Sequence, residues 1–298
     1  MPSAYWARHN CSLHRFWAAG VLVLFAWLSV SPALAQSVQT GVFEFSNWDG
    51  SVLPVHYAEP DNLSPDAPIV IVMHGVNRNA DDYRDNWVEL ADQYGFAVYA
   101  PEFSKVDFPK SKNYNLGGLS NAEGRAFDAI EPLFDQIKAR RGVDNPKYYL
   151  FGHSAGAQFV HRYVYFNPDA RYEQAYAANA GWYTLPDVSW DWPYGLKNAP
   201  AEPMTMPDIL SRDLVLLLGD QDIDPTSHNL RQTPEAKAQG QHRLERGLNF
   251  LKVAKAQADS LGVPAKWTFQ IIPDVAHDNH GMAIAAAAQI HFHHNDKG

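Results

Sequence analysis

The Gly-His-Ser-Ala-Gly stretch at 152–156 constrains the fold of this chain more than any other feature. It follows the apolar run Tyr148–Phe151 and precedes a segment with helical spacing. G-x-S-x-G between a strand and a helix is typical of a nucleophile elbow, a turn so tight that the residues around the serine must be small. Such a turn presents the Ser154 hydroxyl above a sheet. It also places the amide of Ala155 at a helix N-terminus, where it faces a developing negative charge.

Strand and helix patterns alternate along most of the chain. A hairpin comes first, with predicted strands at 42–45 and 51–58 joined by a turn at 47–50. The later strands are short apolar runs, as expected for strands buried on both faces. They are predicted at 69–73, 97–100, 148–151, 175–178, 214–218 and 267–272, and the helices at 82–94, 123–141, 155–166, 239–261 and 282–292. Pro132 predicts either a kink or a late start for the second helix. This order favours an α/β fold, with a mostly parallel central sheet, an antiparallel start and helices on both faces.

The first 35 residues have the pattern of a secretory signal peptide. Basic residues precede the apolar run at 16–30, and Ala33-Leu34-Ala35 supplies a small-x-small cleavage site. The run is shorter than the roughly 20 residues that a membrane-spanning helix needs, although an uncleaved N-terminal anchor is the alternative. We therefore expect residues 1–35 to be removed. Residues 36–298 should then form a single secreted or periplasmic domain without a membrane span.

Composition narrows the expected chemistry. The single cysteine, Cys11, lies within the predicted signal peptide, so the mature protein is expected to have no disulfide, zinc–thiolate site or cysteine nucleophile. Without the two arginines of that peptide, 22 Lys and Arg stand against 33 Asp and Glu. No basic stripe is present, so nucleic acid is not an expected partner. The histidines at 291, 293 and 294 resemble a metal cluster, but their place at the chain end favours a frayed tail. We predict no metal and no cofactor.

A serine hydroxyl becomes a nucleophile when a base lies beside it, and the base needs a carboxylate to hold its tautomer. In a sheet of this kind the acid and then the histidine follow later strands. His277 is the predicted base, because it follows the last predicted strand and precedes the closing helix. His280, nearer the start of that helix, is the alternative.

Three aspartates after the predicted strand at 214–218 compete for the role of the acid. Asp222 is favoured. Asp220 directly follows a glycine and would point into the turn, and Asp224 precedes a proline and would cap the next turn. Both remain alternatives to Asp222.

An oxyanion needs a second amide beside that of Ala155. Gly75 follows an apolar strand and lets the backbone turn its amides toward the serine. The predicted second donor is the backbone N–H of Val76, with Asn77 as the alternative. His74 is interpreted as a structural residue whose ring hydrogen-bonds nearby loop backbone.

The segment 181–211 is rich in proline and tryptophan and lies on the face where such sheets bind ligands. Its aromatic rings either line a pocket or pack the loop onto the sheet edge. Trp182 and Tyr183 are the predicted substrate-binding residues, because they are nearest to the end of the preceding strand.

These motifs stand in the order found in α/β-hydrolases, which the chain resembles over essentially all of residues 36–298. The stretch at 74–83 (HGVNRNADDY) resembles secreted esterases related to polyhydroxybutyrate depolymerases and feruloyl esterases, which have H-G-x-x-x-x-x-D-D-[FY] after the same strand. The resemblance implies hydrolysis of carboxylic esters without a cofactor. The chain departs from secreted polymer depolymerases in having no cysteines to match their disulfides.

The expected activity is that of a serine esterase that forms an acyl-enzyme and acts on a small-molecule or oligomeric ester. A serine peptidase of the same fold is one alternative. A glutamate pair or an arginine presented at the site would favour it, and neither is obvious from the sequence. A non-catalytic binding protein that retains the fold is the other.

Overall fold

The computed structural model describes residues 37–297, which fall within one compact unit. The predicted signal peptide at 1–35 lies outside the described residues. Within the described residues, no helix is both long enough and apolar enough to cross a membrane.

A single sheet of eight strands forms the centre of the described part of the chain. The strands are β1 Val38–Phe45, β2 Leu53–Pro60, β3 Ile69–Met73, β4 Ala97–Pro101, β5 Tyr148–His153, β6 Tyr172–Ala178, β7 Leu214–Gly219 and β8 Thr268–Ile272. Their order across the sheet is β1-β2-β4-β3-β5-β6-β7-β8. The β1–β2 and β2–β4 pairs are antiparallel and all the others are parallel. The predicted α/β architecture with an antiparallel start is therefore confirmed.

Helices cover both faces of this sheet. They are α1 Ala80–Asp85, α2 Val88–Tyr94, α3 Lys110–Asn113, α4 Ile130–Arg141, α5 Ala155–Phe166, α6 Met206–Leu210, α7 Pro234–Gln239, α8 Arg243–Leu261 and α9 Asn279–Asn295, with a 3₁₀ turn at Ala126–Ala129. The buried side chains of α4, α5 and α8 belong to the core on one face, and those of α1, α2 and α9 belong to the core on the other. Side chains of β3 alternate between the two cores, as the two-residue period of a strand requires.

Some predicted helix boundaries were wrong, for local reasons. The predicted helix at 82–94 is broken before Trp87, whose buried ring packs edge-on against Phe151 with centroids 5.2 Å apart. The next helix starts late, so that Pro132 lies in the first turn of α4, where its missing N–H costs nothing. The predicted helix at 239–261 starts at Arg243, because Gly240 ends α7.

The predicted frayed tail is also wrong. Asp278 caps α9 by accepting a hydrogen bond from the backbone N–H of Gly281, and the helix continues to Asn295. His291, His293 and His294 therefore lie on a helix. Within residues 37–297, no group of three or more histidine, cysteine or acidic side chains is arranged to hold a metal ion.

Candidate active site

The backbone at Ser154 has the strained geometry of a nucleophile elbow. Ser154 joins β5 to α5 with φ 58° and ψ −113°, a conformation that L-residues rarely adopt. A Cβ on Gly152 would lie 2.4 Å from the carbonyl of Gly156, and one on Gly156 would lie 2.0 Å from the carbonyl oxygen of Met73. The Ser154 N–H donates to the carbonyl of Ala178 at 2.9 Å. Backbone contact on both sides therefore explains the need for glycine around this serine.

Ser154, His277 and Asp222 form one hydrogen-bonded row. His277, in the loop between β8 and α9, has Nε2 3.0 Å from the Ser154 Oγ and Nδ1 2.8 Å from the Asp222 Oδ2. Asp222 follows β7 and is 3% exposed. Both contacts are satisfied when Nδ1 carries the proton and donates to the carboxylate while Nε2 accepts from the hydroxyl. That tautomer leaves Nε2 ready to take the serine proton.

Within the described chain, the alternative acids and the alternative histidine lie outside this row. The exposed Asp224 carboxylate accepts from the backbone N–H and hydroxyl of Thr226, which lowers its pKa. Asp220 accepts a hydrogen bond from its neighbour Gln221. His280 is exposed in the first turn of α9.

Asn179 ties together the loops that carry the acid and the histidine. Its side-chain oxygen accepts from the Gly219 N–H at 2.9 Å, and its amide donates to the Ala276 carbonyl at 2.9 Å. The residue follows β6 and has φ 48°, which asparagine tolerates better than most residues. Sequence reasoning missed this role because an asparagine after a strand is common in ordinary turns.

Arg243, the first residue of α8, contacts the predicted catalytic acid. Its Nη1 donates to the Asp222 Oδ1 at 3.1 Å and to the Ser227 hydroxyl at 3.1 Å. The side chain is 2% exposed. The sequence-based expectation that no arginine is present at the site was therefore wrong. An arginine that begins an amphipathic helix gives no signal of such a contact.

His153, the residue before the serine, packs against the ring of His277, the predicted base. Its Nδ1 lies 3.0 Å from the Tyr83 hydroxyl, and its ring centroid lies 4.6 Å from that of His277. Burial lowers the pKa of His153 well below its usual value, and the neighbouring His277 lowers it further. His153 is thus neutral, and it packs against the base without adding charge.

His74 has the structural contacts that the sequence predicts. Its Nε2 accepts from the Phe103 N–H at 3.0 Å, and its Nδ1 is 3.0 Å from the Gly75 carbonyl. Burial lowers the pKa of His74 to about 3, so that the ring is neutral.

The two residues predicted to supply the oxyanion donors line the cavity that contains Ser154. This cavity has a volume of about 420 Å³, and Val76 and Ala155 both line it. Among the described residues, neither backbone N–H has a hydrogen-bond acceptor. Asn77, the alternative donor, is absent from the described cavity wall. Unpaired N–H groups next to a serine hydroxyl are what an oxyanion hole requires.

The two predicted pocket aromatics lie in different environments. Trp182 lines the cavity, with the guanidinium carbons of Arg162 and Arg231 at 4.3 and 5.0 Å from its ring. Tyr183 does not line the cavity, and this placement corrects the prediction. Its ring is fully buried and stacks on Phe250 at 4.4 Å.

Comparison with known proteins identifies relatives that are esterases and depolymerases. Residues 55–180 match the family model described as Esterase PHB depolymerase. The chain is 30% identical over 101 residues to poly(3-hydroxyalkanoate) depolymerase C of Paucimonas lemoignei, an alignment that covers 33% of this chain. The two curated relatives it matches are much longer, and the alignments span 16% and 24% of their lengths.

Two solved structures are similar over most of their length. Poly(aspartic acid) hydrolase-1 from Sphingomonas sp. KT-1 has a TM-score of 0.80 and 43% identity, over 84% of this chain and 97% of that chain. The poly(3-hydroxybutyrate) depolymerase LpqC from Bordetella parapertussis has a TM-score of 0.78 and 32% identity, over 85% of this chain and 89% of that chain.

Proposed function

Because this chain is an α/β-hydrolase that belongs to the esterase PHB depolymerase family, we propose that it cleaves carboxylic esters through an acyl-enzyme on Ser154. The observation that carries the proposal is the hydrogen-bonded row from the Ser154 hydroxyl through His277 to Asp222. The base is thereby within hydrogen-bond distance of both the nucleophile and the orienting acid.

The first half-reaction forms the acyl-enzyme. The Ser154 Oγ bonds to the ester carbonyl carbon while His277 Nε2 takes the hydroxyl proton. The carbonyl oxygen becomes an oxyanion that accepts hydrogen bonds from the N–H groups of Ala155 and Val76. The tetrahedral intermediate then expels the alcohol, which takes the proton from His277. In the second half-reaction, water gives a proton to His277 as its oxygen bonds to the acyl carbon. The bond from that carbon to the Ser154 Oγ then breaks, Oγ takes the proton from His277, and the carboxylic acid product is released.

Asp222 is positioned to stabilise the imidazolium that forms in each step. Its Oδ2 receives the Nδ1–H of His277, and its Oδ1 receives a hydrogen bond from Arg243. The carboxylate is nearly fully buried, so its contact with the charged imidazolium is less screened by water than a surface contact would be. Arg243 compensates the burial of this carboxylate when His277 is neutral.

We also propose that the protein is secreted or periplasmic, with residues 1–35 as the signal peptide and 36–298 as the mature domain. The basic start, the short apolar run and the Ala33-Leu34-Ala35 site support this proposal. N-terminal sequencing of the exported protein is the test. A mature start near Gln36 is expected, and an intact N-terminus on exported protein would contradict it.

Hydrolysis of an amide bond is the second candidate activity. It is favoured by the 43% identity to a protein named for poly(aspartic acid), a polymer linked by amides. The same nucleophile and base would act, with His277 protonating a leaving amine instead of an alcohol.

Chromogenic esters test the proposal. 4-Nitrophenyl acetate, butyrate and octanoate should be hydrolysed by residues 36–298 and spared by Ser154→Ala. The rate of ester hydrolysis by Ser154→Ala is expected to be at least about 10⁴-fold lower than that of the unmodified protein, as for loss of a triad nucleophile. Hydrolysis that survives the substitution would reject Ser154. Cleavage of poly(aspartic acid) with none of the esters would favour the amide activity.

A further inference from the structure

The cavity beside Ser154 is lined by positive charge. Five of its lining residues are cationic: Arg78, Lys105, Lys110, Arg231 and Arg243. None of the described lining residues is acidic. We propose that this cationic wall binds a carboxylate carried by the substrate close to the bond that is cleaved. The inference depends on the proposed hydrolase function, and it names the substrate class of that same site.

The wall is not a reflection of overall composition, because the whole chain has a formal net charge of −9. Three of the wall residues, Lys105, Lys110 and Arg231, are exposed. Elsewhere on the described surface many cations are paired with acids, as Arg171 is with Glu131. Within residues 37–297 the three exposed wall cations form no salt bridge with a carboxylate. Their charge is therefore available to a ligand in the cavity.

Arg243 is the most deeply buried of these cations. Its Nη1 is occupied by Asp222 and Ser227, but its buried Nε has no hydrogen-bond partner among the described residues. A buried N–H without an acceptor is costly, and a guanidinium has the geometry to bind a carboxylate. This Nε is closed to solvent, so Arg243 contributes positive charge at the cavity wall, and the exposed cations are the ones that contact the carboxylate.

Arg231 is held at the wall by aromatic contacts. Its Nε donates to the Tyr194 hydroxyl, and its guanidinium carbon lies 5.0 Å from the centre of the Trp182 ring. Among the described residues its two terminal nitrogens have no acceptor. A fixed arginine loses less conformational freedom when it binds an anion than a flexible one would.

Arg78 has a different role, which is to shape the loop that carries Lys110. It donates to the carbonyls of Phe103, Phe108 and Lys110. Arg78 and Lys110 have φ values of 65° and 61°, so that both share with Ser154 a positive φ at the cavity wall. Strained backbone of this kind persists where the surrounding structure enforces it, most often at functional sites.

A matched pair of esters tests the charge preference. Mono-4-nitrophenyl adipate and 4-nitrophenyl methyl adipate have the same acyl chain and leaving group, and they differ by one carboxylate charge. At low salt we expect kcat/KM to be about tenfold higher for the anionic ester. The ratio should fall toward one at about 0.5 M NaCl, because exposed charges are then screened.

Substitution of the wall shows whether these residues cause the preference. The double variant Lys110→Gln with Arg231→Gln should reduce the ratio of the two kcat/KM values about tenfold. Lys252→Gln, an exposed lysine on α8 that does not line the cavity, is the matched control and should leave the ratio unchanged. The ratio is insensitive to partial misfolding, since both esters report the same folded fraction.

The outcomes separate this inference from the proposed function. Ser154-dependent hydrolysis with a ratio of one or below, or a ratio that the double variant retains, overturns the anion site and leaves the esterase standing. If neither ester is cleaved, calorimetric titration with adipate decides the question without turnover. Adipate binding that the double variant loses supports the site, and no binding by the unmodified protein overturns it.

Discussion

The imidazole ring of His153 lies against that of His277, with 4.6 Å between centroids and an angle of 38° between planes. The residue before the proposed nucleophile thus packs on the ring of the proposed base, while Asp222 contacts the Nδ1 of that ring. Because His153 is buried and neutral, it makes this contact without placing a charge beside His277. Tyr83, from the Asp-Asp-Tyr sequence after β3, fixes His153 through its hydroxyl.

Tyr83→Phe should lower kcat by about tenfold with little change in KM, because the support for the base loosens while the cavity stays intact. It should also lower the free energy of unfolding by about 1–3 kcal/mol, since Nδ1 of buried His153 loses its partner. Steady-state kinetics and urea denaturation measure the two effects. Tyr176→Phe, at another buried tyrosine whose hydroxyl contacts Gln174, is the control. An equal fall in kcat for both variants would contradict a positioning role for Tyr83.

Asp222→Asn should lower kcat by about 10⁴-fold, since an amide at this position favours the wrong tautomer of His277. Asp224→Asn changes an exposed carboxylate in the same loop and should alter kcat less than about twofold, as for most surface substitutions. The measurement is 4-nitrophenyl butyrate hydrolysis at neutral pH. If Asp224→Asn were the inactive variant, the acid would be wrongly assigned.

Asn179→Ala removes the two hydrogen bonds by which the Asn179 side chain connects the acid loop to the histidine loop. We expect about 2–4 kcal/mol loss of unfolding free energy and a lower kcat. Asn198→Ala is a closely matched control, because Asn198 also has a positive φ, 57°, but is exposed and distant in sequence from these loops. Denaturation curves and kinetics of the two variants separate backbone strain from loop tethering. Equal losses in both would show that strain alone is responsible.

Three buried histidines, His74, His153 and His161, should make the fold sensitive to mild acid. Burial lowers the pKa of each below the usual value of 6.5, and that of His74 falls to about 3. Below pH 6.5 the unfolded chain therefore binds protons that the native state does not. Stability is retained above this pH and is lost as pH falls, by about 1.4 kcal/mol per pH unit for each histidine, until the native rings also protonate.

Urea denaturation between pH 7 and 5 measures this slope. His161→Gln should reduce the slope by about one histidine's share, whatever its effect on stability at pH 7. A pH-independent unfolding free energy across this range would show that the three rings are not buried in the neutral form.

The parts of this structure that sequence could predict are those set by local periodicity and local sterics. Short apolar runs predicted the parallel strands, and the glycines around Ser154 predicted the elbow. Both predictions were possible because these structures depend on residues that are close together in the sequence. The choice among Asp220, Asp222 and Asp224 was narrowed by the same local reasoning.

The parts that sequence missed depend on contacts between distant elements. Arg243 reaches Asp222 only because α8 starts beside the loop after β7, and neither segment shows this alone. Tyr183 was placed in the pocket on proximity to a strand end, but its ring packs against Phe250 of a helix that lies far along the chain. Asn179 looks like any turn residue until both loops that it joins are in place.

The guanidinium of Arg243 has one nitrogen on the predicted catalytic carboxylate, and the same residue lines the cavity beside Ser154. The proposed anion site and the predicted catalytic acid thus share a side chain. In the evolution of this enzyme, a change at position 243 toward uncharged substrates would also disturb Asp222. Changes in substrate range are therefore expected to arise first from substitution of the exposed wall cations, Lys105, Lys110 and Arg231, and last from substitution of Arg243.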